Sequence, residues 1–236
     1  MSEWLPLEVL ERLLRSVDVL EPLPPEEVRT LASAAALRRL GVGETMPVSP
    51  QTHAQRTVLL LEGRARVYED GPPERTLTAS VAEAGTMVGV TGLAAHPRGM
   101  IVEALAPSLL SLVGREAFEG LVVRYPEVGL RLLRILAERI VVLEGRLADL
   151  AHKQVPARLA GTILRLAEGE GIVARDGSRM IPTRYTHRQL ASMIGANREA
   201  VTRAMRALRE RGAIEVRGRR IHVVDQEALR REAEEG

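Results

Sequence analysis

The chain has 236 residues, of which 45% are apolar and 27% charged, a composition ordinary for one large or two small globular domains. No apolar run approaches the ~20 residues that span a bilayer, and the N-terminus lacks the basic and apolar regions of a signal peptide. We therefore expect a cytoplasmic protein with no membrane partner. The chain contains no cysteine, which excludes disulfides, thiolate zinc sites, cysteine nucleophiles and cysteine-ligated iron–sulfur clusters.

Basic charge is concentrated in one stretch of the chain. Residues 183–222 contain ten arginines and three glutamates, a net charge of +7, whereas the whole chain carries only +2. The other residues therefore carry −5. A local basic block on a nearly neutral chain indicates a polyanionic partner.

The first half of the chain predicts two helices followed by short strands. Apolar residues recur with a helical period over residues 5–14, and Pro and Glu at 24–27 are typical of the start of a helix that would run to about residue 37. Over residues 38–112, short apolar runs alternate with glycine and proline turns, which predicts an antiparallel sandwich or barrel. Such a barrel either encloses one small ligand or is packed solid.

A long helix is predicted over residues 126–154, because no strong helix breaker occurs before Pro156. Its apolar residues repeat with alternating spacings of three and four, the a/d pattern of a two-stranded coiled coil. These seam residues are Leu133, Leu136, Ile140, Leu143, Leu147 and Leu150. The pattern predicts a homodimer; the alternative is a helix packed on its own domain. Residues 155–157 are interpreted as a hinge after this helix.

Residues 186–224 have the pattern of a winged helix-turn-helix. Thr186 is placed as the N-cap of a first helix, and Gly195 can take the positive φ of a sharp turn. A second helix begins near Asn197 and ends at Arg211-Gly212. Two short apolar stretches around the basic residues 217–220 predict the wing.

The second helix would enter a DNA major groove with its N-terminus first, so its outward residues are candidate DNA contacts. Arginine donates two hydrogen bonds to guanine, and glutamate accepts one from cytosine. Helix N-termini and the basic wing tip offer donors to phosphates. The candidate contacts are Thr186, His187, Asn197, Arg198, Glu199, Thr202, Arg203, Arg206, Arg219 and Arg220.

The sequence Thr-His-Arg-Gln-Leu-Ala-Ser-Met-Ile-Gly-Ala-Asn-Arg-Glu-Ala-Val-Thr-Arg at 186–203 resembles the cyclic-AMP receptor protein/FNR (CRP/FNR) family of transcription regulators. Further similarities are Gly-Val-Gly-Glu at 41–44, Gly-Thr-Met-Val-Gly at 85–89 and the long helix after Tyr125-Pro126. The resemblance covers about residues 13–230.

The resemblance implies an α+β fold in three parts. These are an N-terminal cyclic-nucleotide-binding-like β-roll (a double-stranded β-helix) in residues 1–125, a dimerisation helix in 126–154 and a C-terminal winged helix-turn-helix in 155–236. By the same resemblance, Arg198, Glu199 and Arg203 would read the bases of a palindromic site with TGTGA-like half-sites.

The effector positions depart from family members that bind cyclic AMP. Gly89-Val90 stands where those members have a Gly-Glu pair for the ribose, and Arg98-Gly99 stands where they have an Arg-Ser pair for the phosphate. Leu143 and Glu144 occupy the positions that would contact adenine. An unpaired buried polar group costs ~1–3 kcal/mol, so we expect no cofactor and no dependence on cyclic AMP.

Two alternatives for the control of activity stay open. The barrel either binds another small effector, such as an anion at Arg98, or the dimer binds DNA without an effector; the apolar substitutions favour the second. The FNR-type iron–sulfur switch is excluded because cysteine is absent. Activation would require RNA polymerase as a partner, contacted through the hairpin at residues 175–179 or the barrel surface, whereas repression requires only occupancy of the DNA.

Two other classes of function have less support. An enzyme is disfavoured because the chain has no P-loop, no recognisable Ser/His/Asp set and no indicated pair of catalytic carboxylates. An interaction module that has lost DNA binding is disfavoured because Arg198, Glu199 and Arg203 are present.

Overall fold

The protein is described from a computed structural model, in which residues 5–48, 56–69, 71, 76–88 and 99–234 are placed. The chain divides into two compact units. The first comprises Met1–Asp70 and Ala79–Ile140, and the second comprises Gly71–Thr78 and Val141–Gly236. Among the described residues, no helix is both long and apolar enough to cross a bilayer.

The first unit begins with α1 (Leu7–Arg15), a short 3-10 turn (Asp18–Leu20) and α2 (Pro25–Ser33). Strand β1 (Ala36–Leu40) follows after two residues, so the prediction that the second helix would reach residue 37 was wrong. The helix ends early because β1 pairs along its whole length with a later strand, from Ala36↔Leu112 to Leu40↔Ser108. These tertiary hydrogen bonds override the local helix propensity of an alanine-rich segment.

The described part of the first unit forms two four-stranded sheets, with β5 beginning at the boundary residue Thr78. The remaining strands are β2 (Thr45–Val48), β3 (Arg56–Glu62), β4 (Arg64–Glu69), β5 (Thr78–Glu83), β6 (Thr86–Met87), β7 (Met100–Ala104) and β8 (Ser108–Gly114). Their orders are β1-β8-β3-β6 and β2-β7-β4-β5. The sheets are antiparallel, which confirms the expected architecture and agrees with a cyclic-nucleotide-binding-like β-roll.

The first of these sheets is covered on both faces. Val58 and Leu60 of β3 join an apolar cluster with residues of the second sheet, including Val67. Leu59 and Leu61 face the other way and join a cluster with the helices. Burial on both faces explains why β3 is an uninterrupted apolar run rather than an alternating one.

Two helices follow the strands. Helix α3 (Arg115–Arg124) was not predicted, and α4 (Pro126–His152) corresponds to the predicted long helix. Val128 and Ile135 of α4 are buried in the cluster that α4 shares with α1 and α2. Leu133, Ile140 and Leu147 are 63%, 54% and 64% exposed, so much of the apolar seam lies on the surface of the single chain.

The described part of the second unit combines the end of α4 and four further helices with a small sheet. After the end of α4 come α5 (Val155–Glu170), β9 (Ile172–Val173), β10 (Arg179–Met180), α6 (His187–Ile194), α7 (Arg198–Glu210), β11 (Ile214–Arg217), β12 (Arg220–Val223) and α8 (Gln226–Glu234). The strand order is β11-β12-β10-β9, in antiparallel pairs. The small hairpin, the helix-turn-helix and the wing are all observed, whereas α8 was not predicted.

The break between α4 and α5 lies earlier than the hinge predicted at residues 155–157. Between these two helices, only Lys153 and Gln154 are not helical. Pro156 lies in the first turn of α5, where the missing N–H of proline costs no hydrogen bond. Nη1 of Arg158 donates to the carbonyl of Lys153 at 3.0 Å. This hydrogen bond links the first turn of α5 to the residue that follows α4.

The turn between β3 and β4 gives a test of the β-roll. Gly63 has a φ of +87°, and a Cβ at this position would lie 2.2 Å from the carbonyl oxygen of Pro107. Gly63→Ala should therefore lower the free energy of unfolding by about 2 kcal/mol or more, measured by urea denaturation. Gly120→Ala is the matched control, because its Cβ meets no atom within 4 Å on helix α3 and should be neutral or stabilising by about 0.5–1 kcal/mol. Equal stabilities for the two variants would contradict the steric argument.

Candidate nucleic-acid interface

Helix α6 begins with a complete capping box. The backbone N–H of Gln189 donates to the hydroxyl of Thr186 at 3.2 Å, and the N–H of Thr186 donates to Oε1 of Gln189 at 2.8 Å. The helix ends at Gly195, whose φ of +60° lies in the left-handed region. Both the N-cap and the glycine turn were predicted from the sequence.

The turn is also tightly packed. A Cβ at Gly195 would lie 2.8 Å from Cδ2 of Leu150 and 3.8 Å from Cδ1 of Leu77, both in the same unit. Ser192 of α6 is buried, and its hydroxyl lies 2.8 Å from that of Thr78. The seam residue Leu150 therefore packs within its own chain as well as being 38% exposed.

Helix α7 separates apolar from polar residues. Val201, Met205 and Leu208 are buried, together with Ala204. The five predicted DNA contacts on the helix are all exposed: Arg198, Glu199, Thr202, Arg203 and Arg206. The helical period places these residues away from the packed face.

Polar contacts hold the N-terminal part of this surface. Oδ1 of Asn197 accepts from the N–H of Ala200 at 2.8 Å, which leaves the amide NH₂ of Asn197 as a donor. The hydroxyl of Thr202 donates to the carbonyl of Arg198 at 2.9 Å and lies 2.8 Å from Nδ1 of His187. Because its single proton is committed, Thr202 accepts from His187, and Nε2 is the remaining polar atom of that ring.

The wing ends in a two-residue turn between the paired residues Arg217 and Arg220. Gly218 and Arg219 have φ values of +58° and +64°. Two successive positive φ values are typical of a type I′ turn, whose positions favour asparagine and glycine. Among the described residues, Arg219 is the one non-glycine residue with positive φ, so a charged side chain occupies a strained position at the wing tip.

Ion pairs divide the candidate arginines into two groups. Arg206 pairs with Glu210 at 2.7 Å, and this hydrogen bond raises the pKa of the Arg206 guanidinium. Arg220 donates from Nε to the carbonyl of Pro182 at 3.1 Å. No carboxylate in the described ranges forms an ion pair with Arg198, Arg203 or Arg219. These three arginines therefore give up no ion pair with a described carboxylate when they bind a polyanion.

Only part of the predicted effector site falls within the described residues. Gly89, Val90 and Arg98 lie outside the described residues, and Gly99 is half-buried. Leu143 and Glu144 are exposed on α4. Among the other residues of the α4 seam, Leu136 is half-buried.

The described ranges contain no group of three His, Asp or Glu side chains that could hold a metal ion.

Sequence reasoning missed a polar cluster beside the wing. Asp176, Ser178 and His222 are joined by hydrogen bonds, and Asp176 also contacts Arg217. The sequence indicated only a turn at Asp176-Gly177-Ser178, because the contacts join residues more than 40 positions apart.

Comparison with known proteins gives consistent results. A family model described as a Crp-like helix-turn-helix domain matches residues 157–232. The global nitrogen regulator of Synechocystis sp. (strain ATCC 27184 / PCC 6803 / Kazusa) is 31% identical over 214 residues, which cover 83% of this chain and 93% of that protein. A CRP-like cAMP-activated global transcriptional regulator of Mycobacterium tuberculosis (strain CDC 1551 / Oshkosh) is 27% identical over 75% of this chain and 80% of its own.

The fold is also similar to solved structures. The crystal structure of a CRP-family transcriptional regulator from Thermus thermophilus matches with a TM-score of 0.70 and 26% identity, covering 84% of this chain and 96% of that one.

The strained wing tip gives a stability prediction. Arg219→Gly should raise the free energy of unfolding by about 1 kcal/mol, because glycine adopts positive φ without the steric cost paid by other residues. The measurement is urea or thermal unfolding of the two proteins. Arg219→Ala is the control, since it removes the charge but keeps the strained backbone and should give no such gain. A gain of equal size in both variants would mean that charge, rather than the backbone, sets the stability of the turn.

Proposed function

Because the chain belongs to the CRP/FNR family of transcription regulators, we propose that it acts in the cytoplasm as a homodimer that binds a palindromic DNA site with TGTGA-like half-sites. The relatives that it matches are transcription regulators and not enzymes. The observation that carries the proposal is the exposed surface of α7 after the Gly195 turn, where Arg198, Glu199 and Arg203 project from a helix packed on its opposite face.

The exposed surface of α7 has the chemistry needed to read base pairs. A recognition helix contacts base edges with its N-terminal residues, and Arg198 and Glu199 occupy the first turn of α7. A TGTGA half-site presents guanines on one strand, which accept two hydrogen bonds from an arginine. The cytosines opposite them present an amino group that Glu199 can accept from. Arg203 lies in the next turn and provides a second bidentate donor.

Other candidate residues are suited to phosphates. Asn197 keeps its amide NH₂ as a donor, and Arg219 projects at the wing tip without an ion pair to a described carboxylate. His187 donates from Nδ1 to Thr202, and we assign it a positioning role. We assign supporting phosphate or positioning roles to Thr186, Thr202, Arg206 and Arg220, whose polar atoms are partly used within the chain. Transferring Arg206 from Glu210 to a phosphate costs little, because an exposed ion pair is worth only about 0–1 kcal/mol.

The exposed apolar stripe on α4 supports the homodimer. Leu133, Ile140 and Leu147 are each more than half exposed in the single chain, and they recur with the spacing of a coiled-coil seam. A second copy of α4 would remove this surface from water, which is the usual driving force for helix association. Two recognition helices in one dimer match a site with two half-sites related by two-fold symmetry.

The interior of the β-roll supports DNA binding that does not depend on cyclic AMP. Buried apolar side chains of both sheets form one cluster, among them Val58, Leu60, Val67, Val102 and Leu110. These side chains offer no partner for the polar edges of a nucleotide, whose burial without hydrogen bonds is costly. We propose that the dimer binds DNA without an effector. The alternative is another small effector, such as an anion at Arg98.

We further propose that the β9–β10 hairpin is the surface for RNA polymerase if the protein is an activator. Its turn is exposed at Arg175, Asp176 and Gly177. The neighbouring strand β9 exposes 52% of Ile172 and 76% of Val173. An exposed apolar pair beside charged residues is suited to a protein partner.

The base-reading role is tested with Arg203→Ala. Purified wild-type protein without added ligand should bind a TGTGA palindrome more tightly than shuffled DNA in fluorescence anisotropy. Cyclic AMP should leave this affinity unchanged. Arg203→Ala should lose about 1–3 kcal/mol per half-site on the palindrome and relax base preference at one position, because its bidentate bond to guanine is removed. Arg209→Ala, at the C-terminal end of the same helix, is the charge-matched control and should keep the base preference. Equal losses of Arg203→Ala on palindromic and shuffled DNA would refute a base-reading role.

The homodimer is tested with Leu143→Asp. This residue is 44% exposed in the single chain and lies on the seam, so a carboxylate there would be buried without a partner in the dimer. Sedimentation velocity should show a monomer, and affinity for the full palindrome should fall by about tenfold or more, because two half-sites are no longer bound together. Val123→Asp on α3, where Val123 is 79% exposed, should sediment as the wild type does. An unchanged sedimentation coefficient for Leu143→Asp would exclude this seam.

A further inference from the structure

A chain of polar side chains joins the turn of the β9–β10 hairpin to the wing. Nδ1 of His222 on β12 lies 3.1 Å from Oγ of Ser178, and this hydroxyl donates to Oδ1 of Asp176 at 2.6 Å. Oδ2 of Asp176 accepts from Nη1 of Arg217, the last residue of β11. Nε of Arg217 donates to Glu215 at 2.6 Å. The chain of contacts therefore spans the turn and both strands of the wing.

The hydrogen-bond directions in this chain are fixed by its chemistry. The pKa of the Asp176 carboxyl lies well below its usual range, because the carboxylate accepts hydrogen bonds from Ser178 and Arg217. An ionised carboxylate only accepts, so the Ser178 proton points to Asp176 and the hydroxyl accepts from Nδ1 of His222. Ser178 and His222 are buried, at 6% and 7% exposure. Loss of one member would leave a neighbouring buried polar atom without its partner.

The chain of hydrogen bonds ends beside the strained wing tip. Arg217 directly precedes Gly218-Arg219 and is paired in register with Arg220. Its guanidinium is held by Asp176 and Glu215, and hydrogen bonds to these two carboxylates, the larger from Glu215, raise its pKa. The charge of Arg217 is therefore paired with carboxylates of the protein, whereas Arg219, two residues later, pairs with no described carboxylate.

We propose that Asp176, Ser178 and His222 are positioning residues that hold the wing, through Arg217, so that Arg219 meets a DNA phosphate. This inference rests on the proposed function, because it requires DNA at the wing. It also predicts a change in DNA affinity in the opposite direction from the one that simple electrostatics predicts. Removal of a carboxylate near DNA normally strengthens binding by reducing repulsion, whereas loss of Asp176 weakens it by releasing the wing.

Asp176→Asn tests the proposal through the salt dependence of DNA binding. The variant keeps a side chain of the same shape but loses the charge that holds Arg217. Its affinity for the TGTGA palindrome should fall by about tenfold, and the slope of log K against log salt should shrink by about two for the dimer, one phosphate contact for each wing. Glu227→Gln is the matched control, because Glu227 also pairs with an arginine, Arg230, at 2.9 Å. It should change neither the affinity nor the slope.

A double-mutant cycle separates positioning from general stability. Asp176→Asn should weaken binding in the wild-type background and have no further effect in Arg219→Ala, because the contact that it positions is already absent. Ser178→Ala leaves the Asp176–Arg217 pair in place and should weaken binding in the same direction, with Ser178→Thr restoring it. Circular dichroism verifies folding at the assay temperature; if Asp176→Asn does not fold, Ser178→Ala carries the same cycle.

Three outcomes would overturn the inference while the wild type still prefers the palindrome. These are an unchanged affinity and slope, a gain in affinity with a steeper slope because Arg217 is released to a phosphate, or losses that add fully in the cycle with Arg219→Ala. A wild-type protein that does not distinguish the palindrome from shuffled DNA would instead overturn the proposed function itself.

Discussion

The packing of helix α7 on its apolar face determines which side chains remain for DNA. Val201, Met205 and Leu208 are buried, and the left-handed turn at Gly195 sets where the helix begins. A shift of the helix by one residue would rotate its surface by about 100° and bury arginine in place of methionine and leucine, which is costly without a partner. The same burial that stabilises the second unit therefore fixes the outward direction of Arg198 and Arg203. Stability and specificity therefore depend on opposite faces of the same helix.

Within this unit, internal ion pairs distinguish arginines by the work that binding would require. Arg206, Arg211 and Arg217 each have a carboxylate partner, so a phosphate must compete with an existing ion pair. Arg198, Arg203 and Arg219 pair with no carboxylate in the described ranges, and their hydration is the main cost of contact. A basic block of net charge +7 is thus not uniform. Arg198 and Arg203 lie on the N-terminal half of α7 and Arg219 lies at the wing tip, where the sequence also placed its candidate contacts.

The sequence predicted features whose cause is local. The Thr186 cap, the Gly195 turn, the period of α7 and the apolar run of β3 all follow from spacings within one element. It failed where long-range pairing decides the structure. Residues 36–37 form a strand because β8 lies beside them, and the two-residue strand β6 is too short to have a period. The same limit applies to the candidate site. The sequence shows Arg217 only as part of a basic wing tip, whereas the fold pairs it with Asp176, 41 residues earlier.

Strand β12 of the wing contributes both to the apolar core and to the polar contacts that support the wing. Alternation along β12 sends Ile221 and Val223 to a buried apolar face, and His222 between them to the opposite face, where Ser178 meets it. β12 is also paired on both sides, with β11 and β10, so its backbone is held independently of the tip. This support allows the tip to keep a non-glycine residue at positive φ, a conformation that costs about 1–3 kcal/mol and persists only when its surroundings hold it. An arginine at that position is disfavoured for the fold, which is the pattern expected if its side chain is selected for what it contacts outside the protein.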